Sequence, residues 1–452
     1  MQTNPAKWLE SVYYRFPNEK IIGFFDQCSP VYMLRDLDLI CKILIKDADY
    51  FKNHWVSFAL KNDTFLGRTV MAMQNKEWQE MRASISPIFT GSKLRHMFDL
   101  VVECADDMIE HFKLKSKQNN SVQLNMKEIF SRYGNDVATS CAFGLKINSF
   151  KVRTLPNLML AIDIEYFGRN LRRFFKAMVL NIMEEREKKN IFRPDMINTL
   201  LQMRNGTIKH SIDENSNKKP ADISAVGETN VGEKQMKRWN DNDIVAQCVE
   251  IYLANFEAVS SIMTFLAYEL AVNPDIQQKL YEEIRQTSDN LDGAPLTYDT
   301  IIKMKYFDQV VSELVRKWPA GILTNRVCNK DYELELDGRK ISIERNTCFI
   351  IPIYSIHHNP EIYPNPETFD PERFNDENKK NIKPGSYLPF GIGPRACIGY
   401  RMAVMDLKVV FFKLLQQFNI QPHEKTEIPL KIGNSVAFWN IANAVNLELK
   451  PR

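Results

Sequence analysis

The sequence predicts a mainly α fold with a small β region, formed by one domain over residues 1–452. Three observations support this fold class: most segments show apolar residues at helical spacing, strand-like alternation is confined to a few short runs, and no internal repeat is present. With 44% apolar and 25% charged residues, the chain can bury a large core. It is therefore neither a disordered nor a collagen-like polymer.

Charge and cysteine usage exclude several classes of protein. The 59 Lys and Arg residues against 56 Asp and Glu give a formal charge of +3, too even for an electrostatic nucleic-acid binder. The eight Cys never occur as Cys-x-x-Cys, so neither a disulfide framework nor a zinc ribbon is expected, and a reducing compartment fits best. No signal-like stretch begins the chain, and no window approaches the roughly 20 apolar residues of a spanning helix. We expect no N-terminal membrane anchor.

A polar segment separates two helical parts of the chain. Residues 205–240 are dense in Asn, Ser, Lys, Glu, Asp and Gly and nearly free of large apolar side chains. Such a segment cannot offset its ordering entropy by burial. We predict an exposed, flexible loop.

The next helix is the longest that the sequence predicts. It begins after Asn240, a good N-cap residue, and meets no Gly or Pro before Asn273-Pro274. This gives about 32 residues, or roughly 48 Å at the α-helical rise. The stretch 251–265 is apolar on nearly every face, which indicates a helix through the interior and places Glu257 there.

Three further elements follow in order. Residues 332–343 alternate in polarity on both sides of Asp337-Gly338, a strong hairpin signal. The stretch 357–390 is rich in Pro and aromatic residues, which is unsuited to regular helix and predicts a meander held by side-chain contacts. From Ile398 onwards an amphipathic pattern predicts a final helix.

One cysteine has unusual surroundings. It lies in Phe390-Gly-Ile-Gly-Pro-Arg-Ala-Cys-Ile-Gly399, just before the final helix. Gly391 and Gly393 permit backbone angles closed to other residues, and the amides at the start of the helix point toward Cys397. Both the amides and the helix dipole favour a thiolate. Such a thiolate can serve as a nucleophile, a zinc ligand or a haem ligand, whereas a Cys taken at random is more often a small buried apolar residue.

The complete loop resembles the haem-thiolate loop of the cytochrome P450 family. An aromatic residue lies seven positions before the Cys, two glycines and an Arg stand between, and a Gly follows two positions later. The resemblance implies that Cys397 is the axial ligand to the iron of haem b, with Phe390 and Arg395 among the cofactor contacts. It also implies the family's triangular helical prism.

Two other motifs resemble family patterns and occur in the family's order. Glu313-Leu-Val-Arg316 is similar to the Glu-x-x-Arg pair, and Pro371-Glu-Arg-Phe374 supplies Arg373. The resemblance implies a buried clamp of Glu313, Arg316 and Arg373 that holds the meander and positions Cys397. Taken alone, Glu-x-x-Arg would be an ordinary surface pair.

The remaining cofactor contacts also come from the resemblance. Trp78-x-x-x-Arg82 is similar to the pattern that contacts a haem propionate, and Arg326 and Arg395 would add further guanidinium groups. Taken singly, each Arg is more often a solvated charge. The adjacent His357 and His358 lack partners at ligand spacing, so we expect them to be structural.

The catalytic positions depart from the family pattern. The long helix reads Ala254-Asn-Phe-Glu-Ala258, so the acid is present as Glu257, but Asn255 replaces the usual Gly and Ala258 stands where an alcohol is expected. Ala258 cannot donate a proton. Either water, a substrate hydroxyl or, less favourably, Ser260 substitutes, or coupling is reduced, or the reaction needs no relay.

The implied activity is that of a haem-thiolate monooxygenase. It would insert one oxygen atom from O₂ into a hydrophobic small molecule, with electrons from NADPH delivered by NADPH–cytochrome P450 reductase. Stretches such as 304–319 look closest to insect microsomal, xenobiotic-metabolising members. The alternatives are a haem-binding relative with impaired or lost catalysis and, more weakly, a non-haem interaction protein.

Location and surroundings follow from the same resemblance. It implies the cytosolic face of the endoplasmic reticulum membrane, although the anchorless chain is also compatible with a cytosolic protein. Only the 42 residues 151–192 stand where the family places the F–G lid helices, so we expect a shortened lid. The reductase would dock on the Cys397 side, and its candidate contacts are Lys93, Arg95, Arg401 and Lys408.

Overall fold

The computed structural model describes residues 4–26, 29–56, 58–61, 63–151, 169–193, 195–205, 239–431 and 444–452. Across these residues helices dominate and the strands form small sheets, so the predicted fold class is confirmed. The predicted flexible loop lies outside the described residues except for its ends. Much of the predicted shortened lid, residues 152–168, also lies outside them.

The helices account for most of the described chain. The α-helices are α1 (Pro5–Arg15), α2 (Leu37–Cys41), α3 (Phe58–Lys61), α4 (Asn75–Ile85), α5 (Gly91–Asn119), α6 (Met126–Ala138), α7 (Arg169–Lys189), α8 (Met196–Asn205), α9 (Asp241–Ala254), α10 (Ser260–Val272), α11 (Pro274–Leu291), α12 (Tyr298–Ile302), α13 (Lys305–Lys317), α14 (Ile353–His357) and α15 (Tyr400–Gln417). Turns of π-helix cover Lys42–Lys46, Thr139–Phe143 and Asn255–Val259, and 3₁₀ turns cover Leu66–Arg68, Ser86–Phe89, Pro371–Phe374 and Asn378–Asn381.

The strands form three separate sheets. They are β1 (Ile21–Asp26), β2 (Ser29–Leu34), β3 (Val122–Asn125), β4 (Thr324–Val327), β5 (Tyr332–Leu336), β6 (Arg339–Ile343), β7 (Cys348–Ile351), β8 (Phe418–Pro422) and β9 (Asn446–Pro451). One sheet has the order β1-β2-β7-β4 with a parallel β2–β7 pair, and a second has the order β3-β9-β8. The β5–β6 hairpin turns at Asp337 and Gly338, both at positive φ, as the sequence predicts.

The long predicted helix is present as one central helix, α9 and α10 joined by the π turn Asn255–Val259. Asn240 and Asp243 form a capping box at its start. The 32 residues Asp241–Val272 have the length and composition of a membrane-spanning helix, so the expectation that no window qualifies is wrong here. However, 61% of the qualifying stretch is buried inside the protein, which is typical of a core helix.

Close packing places the central helix against its neighbours. Gly134 of α6 lies beside the π turn, and a Cβ there would be 3.4 Å from the Phe256 carbonyl oxygen. Farther along, the Phe265 ring stacks on Trp318 with centroids 4.5 Å apart. The π turn itself contacts α15, the helix that follows Cys397. The middle of the central helix therefore packs against the helix that follows the cysteine loop.

Candidate functional site

The backbone of the cysteine loop is closed by its own hydrogen bonds. The Cys397 N–H donates to the Phe390 carbonyl oxygen at 2.8 Å, and the Ala396 N–H donates to Gly393 at 3.0 Å. Gly393 has a φ of 77°, and a Cβ there would be 1.9 Å from the Leu44 carbonyl oxygen. Glycine is therefore required both by conformation and by space.

The Cys397 thiol is desolvated, yet its side chain is accessible. Desolvation is the largest influence and raises the pKa of the thiol above its ordinary value, while the N–H groups of Gly399 and Tyr400 and the charge of Arg82 lower it. The amides favour the thiolate as the sequence predicts, while burial acts in the opposite direction and is the larger influence. The side chain is nevertheless accessible. A sulfur that is both desolvated and accessible must border a cavity rather than bulk water.

The other described cysteines differ from Cys397. Each is buried or half-buried and none is paired in a disulfide: Cys41, Cys104, Cys141, Cys248, Cys328 and Cys348. Desolvation raises the pKa of each of these thiols. They therefore behave as small buried apolar residues.

The three predicted clamp residues lie together in the core. Arg316 makes a two-point ion pair with Glu313, Nε to Oε2 at 2.6 Å and Nη2 to Oε1 at 2.8 Å, and both side chains are fully buried. Arg373 approaches the same carboxylate at 3.4 Å, and the Asp370 N–H donates to it at 3.0 Å. Glu313 thus connects α13 to the 3₁₀ turn Pro371–Phe374.

The clamp continues toward the cysteine loop through a histidine. Arg316 donates to the carbonyl oxygens of His357 and Pro366 at 2.9 and 2.8 Å. The His357 Nε2 accepts from the Leu388 N–H at 2.9 Å, so its Nδ1 carries the proton that is donated to the Arg316 carbonyl oxygen at 3.0 Å. Both ring nitrogens are used within the protein, as a structural role for His357 requires. Leu388 lies two residues before Phe390, so the chain of contacts ends at the loop.

The predicted propionate contacts converge beside Cys397. The Arg395 guanidinium lies 3.9 Å from the Trp78 ring centroid, and Arg82 Nη2 donates to the Ala396 carbonyl oxygen at 2.9 Å. Desolvation, followed by the charges of Arg326 and Arg82, lowers the pKa of Arg395 to about 9. Within the described residues none of the three guanidinium groups has an acidic partner within 4 Å. We call Arg82, Arg326 and Arg395 the guanidinium cluster.

Sequence reasoning missed a histidine beside this cluster. His54 Nδ1 lies 3.0 Å from the Asn325 carbonyl oxygen and 3.4 Å from Arg326 Nη1. Desolvation, then the charges of Arg326 and Arg395, lower the pKa of His54 to about 3, so the ring is neutral. No local motif marks this residue, because its neighbours come from a strand more than 250 positions away.

Part of the central helix around its π turn is accessible. Residues 243–249 and 259–271 are buried, whereas Ala254 is exposed and Asn255 and Ala258 are half-buried. The π turn contacts α15, the helix that follows Cys397. A π turn within a core helix often marks a functional position.

Glu257, the acid of the π turn, forms an ion pair with Lys127, which the sequence analysis did not identify. Glu257 Oε1 accepts from Lys127 Nζ at 3.0 Å, and the ammonium group also donates to Ser260 and Ser261 at 3.1 and 2.8 Å. The Lys127 and Glu257 side chains are 28% and 24% exposed, so Glu257 is less deeply buried than the sequence suggests.

The four candidate reductase contacts do not share a surface. Lys408 is fully buried, pairs with Asp308 at 2.6 Å and donates to carbonyl oxygens of Ile301 and Met304, so its prediction as a surface contact is wrong. Arg95 is half-exposed and pairs with Asp299 at 2.8 Å. Lys93 and Arg401 are partly exposed.

Comparison with known proteins decides the family. Residues 4–447 match the family profile described as Cytochrome P450. The chain belongs to the cytochrome P450 family. It is 39% identical to a probable cytochrome P450 9f2 of Drosophila melanogaster and 37% identical to cytochrome P450 9e2 of Blattella germanica, each over 94% of this chain and 85% of the relative. It is 33% identical to cytochrome P450 3A2 of Rattus norvegicus, over 96% of this chain and 85% of that protein.

Membership confirms the resemblance, the family fold and the general activity. This cytochrome P450 is a haem-thiolate monooxygenase with haem b as its cofactor. The residues fit that group, because an accessible sulfur lies beside guanidinium groups that repel one another and, in the described chain, have no acidic side chain within 4 Å. A dianionic cofactor edge would neutralise them.

Proposed function

We propose that this cytochrome P450 oxidises lipophilic small molecules, foreign compounds among them, with electrons that NADPH–cytochrome P450 reductase delivers from NADPH. We place it at the cytosolic face of the endoplasmic reticulum membrane. The observation that carries the proposal is the accessible, desolvated sulfur of Cys397, together with the accessible apolar residues Ala254 and Ala258 on the central helix. A space lined by such residues suits an apolar substrate.

The cofactor contacts form the first part of the proposal. Cys397 would bind the haem iron, and the guanidinium cluster and Trp78 would hold the propionates. Phe390 packs at the loop, where its ring centroid is 6.0 Å from that of Tyr400. Haem bound in this way supplies the activation of O₂ that the reaction requires. The clamp of Glu313, Arg316 and Arg373 fixes the meander and keeps Cys397 in position.

Proton delivery forms the second part. Glu257 is the acid, and the partly exposed Lys127 connects it with solvent. Ser260 Oγ accepts a hydrogen bond from Lys127 Nζ and donates one to the Glu257 carbonyl oxygen at 3.2 Å. Its hydroxyl is therefore engaged on the side of the helix that faces α6. Ser260 therefore does not replace the missing alcohol at 258. A water molecule or a substrate hydroxyl takes that place.

Electron delivery forms the third part. The reductase docks on the Cys397 side, where Lys93, Arg95 and Arg401 present positive charge at the surface. Lys408 is excluded from this surface by its burial. Opposite charge on the partner would steer the encounter.

Reconstitution with the reductase tests the proposal. Purified holoenzyme, reductase and NADPH are incubated with a panel of lipophilic compounds, and NADPH consumption is compared with oxygenated product. We expect product that depends on NADPH and reductase, with part of the NADPH consumed without product because Ala258 cannot position a proton. An intact thiolate spectrum without product from any compound would support the relative with lost catalysis instead.

A further inference from the structure

One polar side chain of the central helix stands apart from the others. Asn255 is half-buried, and across the described residues no protein atom hydrogen-bonds to its side-chain amide. Between positions 243 and 272, all of which the structure describes, every other side chain with an oxygen or nitrogen has such a partner. The nearest of these, Tyr252 and Glu257, bind Asn135 and Lys127.

Helix stability does not explain an asparagine at this position. Asn is among the poorer helix formers, because its amide competes for backbone groups, and it favours caps and turns. Asn255 lies instead in the middle of a 32-residue helix, and its N–H donates to the Ile251 carbonyl oxygen in the ordinary helical pattern. Its side-chain oxygen and nitrogen are not fully buried, so the amide is open to a water molecule.

Asn255 lies on the same side of the helix as Ala258. The opposite side packs on α6, where a Cβ on Gly134 would be 3.4 Å from the Phe256 carbonyl oxygen and 3.8 Å from Ser260 Cβ. The backbone angles at both ends of the π turn are α-helical. At about 100° per residue, Asn255 and Ala258 lie about 60° apart and are turned away from α6.

The two departures from the family pattern complement each other. Ala258 removes a hydroxyl, and Asn255, three residues earlier, adds an amide with two N–H donors and one carbonyl acceptor. Side chains three residues apart are neighbours on a helix surface. The amide can therefore hold a water molecule over Ala258, in the space that the missing hydroxyl leaves. An amide does not titrate, so it positions a proton carrier and is not itself the acid.

We propose that Asn255 is a positioning residue whose amide holds the water molecule that replaces the missing alcohol at position 258. This inference rests on the proposed function, because it names the group that fixes the water in the proton delivery described there. Glu257 remains the acid, and the water on Asn255 passes the proton on. If Asn255 only filled space, its volume would matter and its amide would not.

Crystal structures of the haem-bound protein test the water directly. They compare the natural protein with Asn255→Leu, which keeps nearly the same volume without a hydrogen-bonding group, and with Ala258→Thr. We expect an ordered water on the Asn255 amide, in contact with Ala258, in the natural protein. It should be absent from Asn255→Leu and displaced by the new hydroxyl in Ala258→Thr. An Asn255 amide without water in the natural protein, or a water that stays in Asn255→Leu, would overturn the inference.

A double-mutant cycle separates positioning from a structural role. Product per NADPH is measured with the panel compound that gives most product, for the natural protein, Asn255→Leu, Ala258→Thr and the double variant. We expect Asn255→Leu to lower it at least about threefold in the natural background but by less than about twofold beside Ala258→Thr, where an alcohol replaces the water. Thr264→Val, which removes a hydroxyl elsewhere on the helix, should leave it unchanged. Equal losses in both backgrounds would overturn the inference.

The readouts remain separable if a variant or the proposed function fails. If Asn255→Leu does not fold, Asn255→Ala removes the amide with a good helix former and takes its place in both experiments. If no compound gives product while the thiolate spectrum is intact, the proposed function fails, and the crystal structures still decide whether Asn255 holds the water. Product with equal coupling in the natural protein and Asn255→Leu removes only the role of Asn255.

Discussion

The two sides of the cavity satisfy their buried charges in different ways. On the Cys397 side, the Glu313 carboxylate binds Arg316, Arg373 and a backbone amide, and each contact leads toward the loop. On the central-helix side, Ala258 lacks a hydroxyl, so position 258 offers no proton donor. The clamp is satisfied by protein groups alone, whereas position 258 depends on a group that the side chain does not supply. We therefore expect substitutions in the clamp to lower the free energy of unfolding, and substitutions at position 258 to change the yield of product.

The largest expected effect is on the Cys397 side. Arg316→Leu leaves the Glu313 carboxylate buried with only the more distant Arg373, so we expect a loss of about 3–5 kcal/mol in the free energy of unfolding. Urea unfolding and haem content measure it. Arg132→Ala, which breaks a more exposed pair with Glu128, is the control and should cost under about 1 kcal/mol. Similar losses in both variants would show that the buried pair contributes no more to stability than the exposed one.

A chemical effect is expected on the central-helix side. Ala258→Thr introduces an alcohol where the relay lacks one, and positioned proton delivery is worth on the order of a hundredfold in rate. We expect product per NADPH to rise by a few-fold or more, with little change in unfolding free energy. The neighbouring Val259→Thr, at a buried position, should not improve it. Equal coupling in Ala258→Thr and the natural protein would refute the role given to position 258.

One buried acid close to the Cys397 loop in sequence is not fully satisfied by its neighbours. Asp406 of α15 is fully buried, accepts from the Tyr133 hydroxyl at 2.5 Å and leaves its Oδ2 without a partner in the described structure. Desolvation raises its pKa to about 7, so between about pH 4 and 7 the folded carboxyl stays protonated while the unfolded one ionises.

Stability should therefore fall as pH rises through that window, by about 1.4 kcal/mol per pH unit from this group. Asp406→Asn keeps an acceptor for Tyr133 and removes the titration, so its unfolding free energy should lack this part of the slope. Urea unfolding between pH 4 and 7 measures the difference. Identical slopes in the two proteins would contradict the assignment.

The smallest effect is expected at the surface. Arg95 pairs with Asp299, and both side chains are about half-exposed, so Arg95→Ala should change the unfolding free energy by about 0–1 kcal/mol. Its effect should appear instead as a several-fold weaker apparent affinity for the reductase at low salt. Lys20→Ala, which breaks an exposed pair with Asp337, should leave that affinity unchanged. Equal behaviour of both variants would argue against docking at Arg95.

Local signals in the sequence predict much of the fold. The N-cap at Asn240, the Asp337-Gly338 turn and the Pro-rich meander depend on neighbours in the chain, and the structure shows each of them. The cysteine loop is similarly local, because its glycines and amides act within ten residues. These features could be inferred without any tertiary contact.

Long-range contacts could not be inferred in the same way. Lys127 reaches Glu257 across 130 positions, and His54 reaches Arg326 across 272. Lys408 has the appearance of a surface residue, yet backbone carbonyl oxygens of residues 301 and 304 satisfy its ammonium group in the core. The backbone N–H groups that bind Glu250 likewise come from a turn about 180 positions away, at Val70 and Met71.

The central claim is that the Cys397 sulfur binds the haem iron, and the ferrous carbon monoxide spectrum of Cys397→Ser tests it most directly. Cys348→Ser, which alters another cysteine, serves as the control. The account predicts that the red-shifted band of a thiolate-bound haem is present in the natural protein and in Cys348→Ser and is lost from Cys397→Ser. An unaltered band and haem content in Cys397→Ser would contradict it.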